Sequence, residues 1–192
     1  MISFFREYCM DNNTDECIKI IHLPPAKTPR SKRGSKKPPP PPPKKRVIVD
    51  EKRWKEHITE EVLATDDQSV FLCVDDAKQT LMLREIKRKL DGYRHQDHEK
   101  KLYDETLFVD LSFVVPLLQN SPHCFYCQEP VKLLYEMARD PKQWTLERID
   151  NNRGHNKDNV EISCLSCNVK RRTMYHEKYR FTKQMKFVKT TT

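Results

Sequence analysis

Residues 144–168 read Trp144-Thr-Leu-Glu-Arg-Ile-Asp150, Asn151-Asn-Arg-Gly154, His155-Asn-Lys-Asp158, Asn159-Val-Glu-Ile-Ser163 and Cys164-Leu-Ser-Cys167-Asn168. Trp144 to Asp150 predicts a strand. Asn151 to Gly154 is a turn signal, because Asn and Gly tolerate the backbone angles that reverse a chain. In Asn159 to Ser163, Val160 and Ile162 alternate with Glu161, the two-residue period of a second strand with one apolar face. The stretch from Cys164 to Arg172 opens a helix. The order is strand, loop, strand, helix.

The helix begins on one of two cysteine pairs. Cys124-Phe-Tyr-Cys127 and Cys164-Leu-Ser-Cys167 each leave two residues between thiols, a spacing that turns both sulfurs toward one point. Together they supply four thiolates, the closed tetrahedral set of a structural zinc site. Two disulfides are the alternative, but seven cysteines is an odd number and no secretory signal is read at Met1 to Glu7. A redox Cys-x-x-Cys would leave the second pair unexplained. His123 and His176 are substitute ligands, though four cysteines already fill the site. Cys9, Cys17 and Cys73 are expected to be reduced, partly buried bystanders. Closing the 36-residue gap between the pairs by a metal would make ion binding a source of folding energy.

The combination Leu146-Glu147-Arg148-Ile149-Asp150-Asn151, Gly154-His155, Asp158-Asn159-Val160 and Cys164-x-x-Cys167-Asn168-x-Lys170 resembles the HNH endonucleases, the ββα-metal nucleases. It is nearest the zinc-knuckle variety of large DNA viruses and phages. The resemblance spans about residues 110–190 and reaches back to about 80 at most. It implies that Glu147, at the first-strand acid position and one methylene longer than the usual Asp, binds a catalytic Mg²⁺ or Mn²⁺. It implies that Asn168 is that metal's second ligand and that Asn159 supports the loop and the base.

The family's general-base His falls on Arg148. A guanidinium keeps its proton and cannot accept one from water, so Arg148 is expected to clamp phosphate instead. His155 is the histidine inside the motif and becomes the candidate base, its ordinary pKa of about 6.5 suiting the task. Read alone, it is a surface turn residue. Metal-bound hydroxide is a second source of base, and loss of catalysis with retained DNA binding is a third outcome.

Outward from this core, the formal net charge of +8 resolves into two blocks. Residues 27–46 hold nine Lys/Arg and no acid, and residues 169–192 hold eight against Glu177 alone. The remainder has 19 bases and 27 acids, so the positive charge is local and suggests phosphate binding. Lys170, Arg171, Arg172 and Lys178 are the expected nucleic-acid contacts. They lie on a helix continuing past Tyr175 and Tyr179, whose aromatics pack on the zinc domain. Nothing in the sequence reads bases, so no sequence specificity is implied.

Pro38 to Pro43 is an unbroken run between lysines, a polyproline II spacer or a ligand for a proline-binding groove. Residues 50–66 predict a helix with Trp54, Ile58 and Val62 in one stripe. Ser69 to Val74 is a short helix or strand. Asp75 or Asp76 caps a helix running through Leu81, Leu83, Ile86 and Leu90 and stopping at Asp91-Gly92. Asp110 caps a helix that Pro116 kinks or ends.

Three glycines in 192 residues exclude Gly-rich phosphate loops, and no apolar run is long enough to span a membrane. The expected fold class is α+β. A disordered Pro/Lys arm (1–49) and a helical region (50–109) precede a small zinc-tied, HNH-like and treble-clef-like ββα-metal domain (110–192). The expected function is metal-dependent hydrolysis of phosphodiester bonds, in double-stranded DNA, inside a cell. The compartment would be the nucleus or a replication site if the chain is viral. The alternative is a noncatalytic zinc-containing DNA-binding protein, such as a transcription or packaging accessory.

Overall fold

The computed structural model describes residues 42–74 and 76–185. Residues 1–41 of the arm, with Pro38 to Pro41 of the proline run, lie outside them, as does the tail beyond Met185. The end of the expected disordered arm is ordered: Arg46, Ile48 and Val49 are buried, and the Arg46 N–H donates to the Glu136 carbonyl at 2.8 Å. The class is α+β: six helices and one two-stranded sheet among the described residues. None of these helices is long and apolar enough to cross a membrane.

The chain enters through a 3-10 turn, Val47–Asp50, and two short helices, α1 (Lys52–His57) and α2 (Glu60–Ala64). A single helix was expected over 50–66. The break falls at Ile58-Thr59, where both backbones are extended and Thr59 accepts a hydrogen bond from the Val62 N–H to start the second helix. The apolar stripe survives the break: Trp54, Ile58 and Val62 are all buried. A second 3-10 turn occupies Gln68–Leu72. Gln68 is fully buried, and its amide serves four backbone groups, accepting from Leu133 and Leu134 N–H and donating to Val62 and Leu134 C=O. Cys73, expected to be partly buried, is exposed.

Asp76 caps α3 (Ala77–Glu99) by accepting from the N–H groups of Lys78 and Gln79 at 2.8 and 2.9 Å. The helix does not stop at Asp91-Gly92. Gly92 keeps an ordinary helical backbone, and the inward face continues through Leu90, Tyr93 and Asp97 at three- and four-residue spacing. The stop comes at Lys101, which takes the left-handed φ of 57°. Helix α4 (Leu111–Asn120) starts on Asp110, which accepts from the Phe113 N–H, and runs through Pro116 without ending. Fully buried Val114 and Leu118 on either side of Pro116 hold it in place.

Strands β1 (Trp144–Arg148) and β2 (Val160–Cys164) pair antiparallel, with Trp144 opposite Cys164 and Arg148 opposite Val160. The first strand is two residues shorter than expected. Cys164 then caps α5 (Leu165–Arg171), its sulfur accepting from the Cys167 N–H. The basic helix does not run on past Tyr175. Arg172 turns left-handed at φ 54°, and α6 (His176–Gln184) starts afresh. Of its aromatics, Tyr179 is buried against Tyr126, whereas Tyr175 and Phe181 are exposed.

No break divides the helical region from the cysteine region at residue 110; residues 41–184 make one unit. Helix α3 binds them together. The Tyr93 hydroxyl accepts from the Leu146 N–H at 3.1 Å, the Lys89 ammonium bonds the Trp144 carbonyl, and Asp97 reaches His155. Burying Trp54, Trp144, Tyr126, Met82, Ile86, Leu118 and Leu146 almost completely gives the unit a shared apolar core.

Candidate functional site

Backbone geometry brings the four cysteines of the two pairs together. Cys124 and Cys127 sit on a tight turn, closed by the Gln128 N–H on the Cys124 carbonyl and by a left-handed Gln128. The Phe125 N–H donates to the Ile162 carbonyl at 2.8 Å, pinning that turn to β2. Cys164 ends β2, and Cys167 lies in the first turn of α5. One sulfur from each of Cys124, Cys127, Cys164 and Cys167 lies within 4.8 Å of all the others, and the four could hold a metal ion. His123 and His176 are outside the cluster.

Four thiols so close cannot all ionise unaided. A hydrogen bond to Cys124, with burial behind it, pushes the Cys164 thiol up, and burial together with the neighbouring Cys124 pushes Cys167 up to about 11. A cation at the centre removes both penalties at once. Helix α6 covers this centre: Tyr126 and Tyr179 meet edge to face at 4.9 Å, and the Arg180 guanidinium lies 4.6 Å from the Phe125 ring centroid.

A groove of about 640 Å³ is lined by residues of β1, α3 and α5. Glu147, Arg148, His155 and Asn168, four residues singled out in the sequence, all line it. So do the cations Lys89, Lys100 and Arg172. Burial first, then the nearby Arg46, pulls the Lys89 ammonium down to about 7.

Asn159 does not line the groove. It is buried and holds the loop: its Oδ1 accepts from the Asp150 N–H, and its Nδ2 donates to the Asp150 and Gly154 carbonyls at 3.0 and 2.9 Å. Asn168 donates Nδ2 to the Thr145 hydroxyl at 3.1 Å, which seats α5 on β1. Arg148 donates Nη1 to the Asn151 and Arg153 carbonyls. Lys170, Arg172 and Lys178 are exposed, as nucleic-acid contacts must be.

Arg171 is not exposed. It is 3% accessible, and its guanidinium is spent inside the protein on Glu147 Oε1, the carbonyls of Arg148, Ile149 and Met174, and Asn151 Oδ1. The expected phosphate contact is therefore a buried partner of the expected metal ligand. Burial pushes Glu147 up to about 7, against the pull of Arg171.

His155 is not a surface turn residue either. It is 2% accessible, its Nδ1 lies 2.8 Å from Asp97 Oδ1, and its own backbone N–H donates to Asp97 Oδ2 at 2.6 Å. The Tyr93 ring lies against the imidazole at 4.5 Å between centroids. Burial lowers the pKa of His155, although Asp97 opposes it.

Asp97 is fully buried and was missed in the sequence. Comparison with family models, curated proteins and solved structures returns no match for this chain.

Gly154 makes the Asp97 contact possible. A Cβ there would sit 2.4 Å from the Leu102 carbonyl oxygen and 3.0 Å from Asp97 Oδ2. The first is backbone and the second is a carboxylate oxygen held by the His155 N–H, so Gly154→Ala is expected to lower unfolding free energy by about 1–3 kcal/mol. Urea denaturation checks this; an unchanged midpoint would contradict the packing described.

Proposed function

We propose that the chain is a metal-dependent endonuclease of the HNH-like, ββα-metal kind, hydrolysing phosphodiester bonds in double-stranded DNA. In this proposal zinc fills the four-cysteine centre, since four thiolates in a closed set suit that ion. One observation carries the reading: a single groove gathers Glu147, Arg148, His155 and Asn168 and surrounds them with Lys100 and Arg172. Its one carboxylate is outnumbered by cations, which favours a phosphate backbone.

The remaining donors fit a hard cation. Glu147 gives one oxygen to Arg171, and its Oε2 has no hydrogen bond among the described residues. Asn168 donates through Nδ2 and keeps its amide oxygen. Two oxygens in one groove suit Mg²⁺ or Mn²⁺, which take few protein ligands and keep several waters. Glu147 and Asn168 would hold that ion, which when bound supplies positive charge to the phosphate and the leaving oxygen.

The chain's own residues do the rest. Arg148 keeps Nη2 uncommitted among the described residues and offers it to a phosphate oxygen. His155, its Nδ1 held by Asp97, accepts a proton at Nε2 from the attacking water. The water oxygen bonds to phosphorus, the bond from phosphorus to the sugar oxygen breaks, and the leaving oxygen takes a proton from solvent. Asn159 keeps the loop in shape for this.

Noncatalytic DNA binding is the second reading, favoured by the Arg171–Glu147 pair, because a neutralised carboxylate attracts a metal less. Supercoiled plasmid with Mg²⁺ or Mn²⁺ separates the two. Nicking is expected from the native chain, with a loss of at least about 100-fold in both Glu147→Ala and His155→Ala. Nicking that survives Glu147→Ala contradicts the metal assignment. Salt-sensitive binding without nicking establishes the second reading.

A further inference from the structure

We infer that Asp97, on α3 and outside the strand–loop–strand–helix segment, is the positioning residue that turns His155 into a one-sided proton acceptor facing the groove. This rests on the endonuclease reading above and adds to it a residue 58 positions away in sequence.

The geometry is that of a clamp. Asp97 is wholly buried at 0% accessibility, and its two carboxylate oxygens take two different atoms of one residue: Oδ2 the backbone N–H and Oδ1 the ring Nδ1. A carboxylate only accepts, so the Nδ1 facing it carries the ring proton. The lone pair is then left on Nε2, which makes no hydrogen bond among the described residues, and His155 lines the groove shared with Glu147 and Arg148. The Tyr93 ring against the imidazole removes the remaining freedom of rotation.

Two neighbours keep the clamp in place. The Leu102 N–H caps the Asp97 carbonyl at 2.8 Å as α3 ends, and Gly154 lets the His155 backbone come within reach of the carboxylate. Holding backbone and ring together sets position, plane and tautomer at once, which is what a base needs.

The test is Asp97→Asn in the full chain, read in three ways. The amide can still accept from the His155 N–H but turns its NH₂ toward Nδ1, so the ring must move its proton to Nε2 and lose its acceptor. Nitrogen-15 NMR of histidine-labelled protein is expected to show Nδ1–H in the native chain and Nε2–H in the variant. Plasmid nicking is expected to fall about 100-fold in kcat with KM within about threefold. In a His155→Ala background Asp97→Asn is expected to change kcat no further, since it acts through the ring.

Circular dichroism and the spread of amide signals report whether the variant folds. Should it not, the tautomer of the native chain still decides, and Nε2–H there overturns the inference. An active native chain whose kcat survives Asp97→Asn overturns the inference and leaves the nuclease reading standing. A native chain that never nicks DNA overturns the nuclease reading and this role with it.

Discussion

Cys167→Ser is expected to unfold the hairpin region at room temperature rather than trim its stability. Cys167 is 3% accessible, and its sulfur meets those of Cys124, Cys127 and Cys164 within 4.8 Å. Binding of an ion by four thiolates has an apparent free energy of about 10–16 kcal/mol, which is folding energy when the unfolded chain cannot form the site. That equals or exceeds the whole stability of an ordinary domain, about 5–15 kcal/mol.

The elements around the centre explain why so much depends on it. The sheet has two strands of five residues, too little to stand alone in water. Helix α5 has seven residues, also too few to form independently. The cysteine centre ties both to the Cys124–Cys127 turn. Chelation of the native protein by excess zinc-binding dye or EDTA should reproduce the loss, seen as a change in the fluorescence of the buried tryptophans Trp54 and Trp144, and added zinc should reverse it. A Cys167→Ser chain that melts within about 5 °C of the native one would contradict this account.

The second large effect belongs to Arg171. Arg171→Met is expected to cost about 3–5 kcal/mol, the magnitude of breaking one partner out of a buried pair. The loss has two parts. Glu147, at 4% accessibility, is left without its cation, and burial already pushes its carboxyl up to about 7 with Arg171 in place. The carbonyls of Arg148, Ile149 and Met174 lose their donor as well.

Adding Glu147→Gln to Arg171→Met should recover part of the loss, because a neutral amide needs no counter-charge. The double-mutant cycle should show a coupling well above 1 kcal/mol. Urea denaturation of the four proteins decides it. A single-mutant cost below 1 kcal/mol would mean that the pair is open to water and that Arg171 is free for other work.

The hairpin, the helix that follows and the convergence of the cysteines were legible because each has a local signature: two-residue alternation, a turn of Asn and Gly, and fixed Cys spacing. A loop-supporting Asn159 followed only from the resemblance, although the partners its side chain takes, Asp150 and Gly154, are near neighbours in the chain. What stayed hidden depends on distant packing. Asp97 sits in a polar stretch, Gln96-Asp97-His98, with nothing in its neighbourhood to mark it as buried. Only the docking of α3 on the loop does that.

Arg171 lay in a basic run, Lys170-Arg171-Arg172, and was grouped with it by composition. A signal did exist: Arg171 follows Asn168 by three residues, so both lie on the helix face turned to β1, while Lys170 and Arg172 point elsewhere. The stop at Asp91-Gly92 misled because a glycine ends a helix only when the apolar face also ends, and here Tyr93 and Asp97 carry it onward.

The most direct measurement is the metal content of the purified full chain by native mass spectrometry, paired with alkylation of its cysteines under native conditions. The account predicts one zinc per chain, with Cys124, Cys127, Cys164 and Cys167 protected until the ion is removed. Less than about half an equivalent of zinc, or alkylation of those four thiols as fast as exposed Cys73, would contradict it.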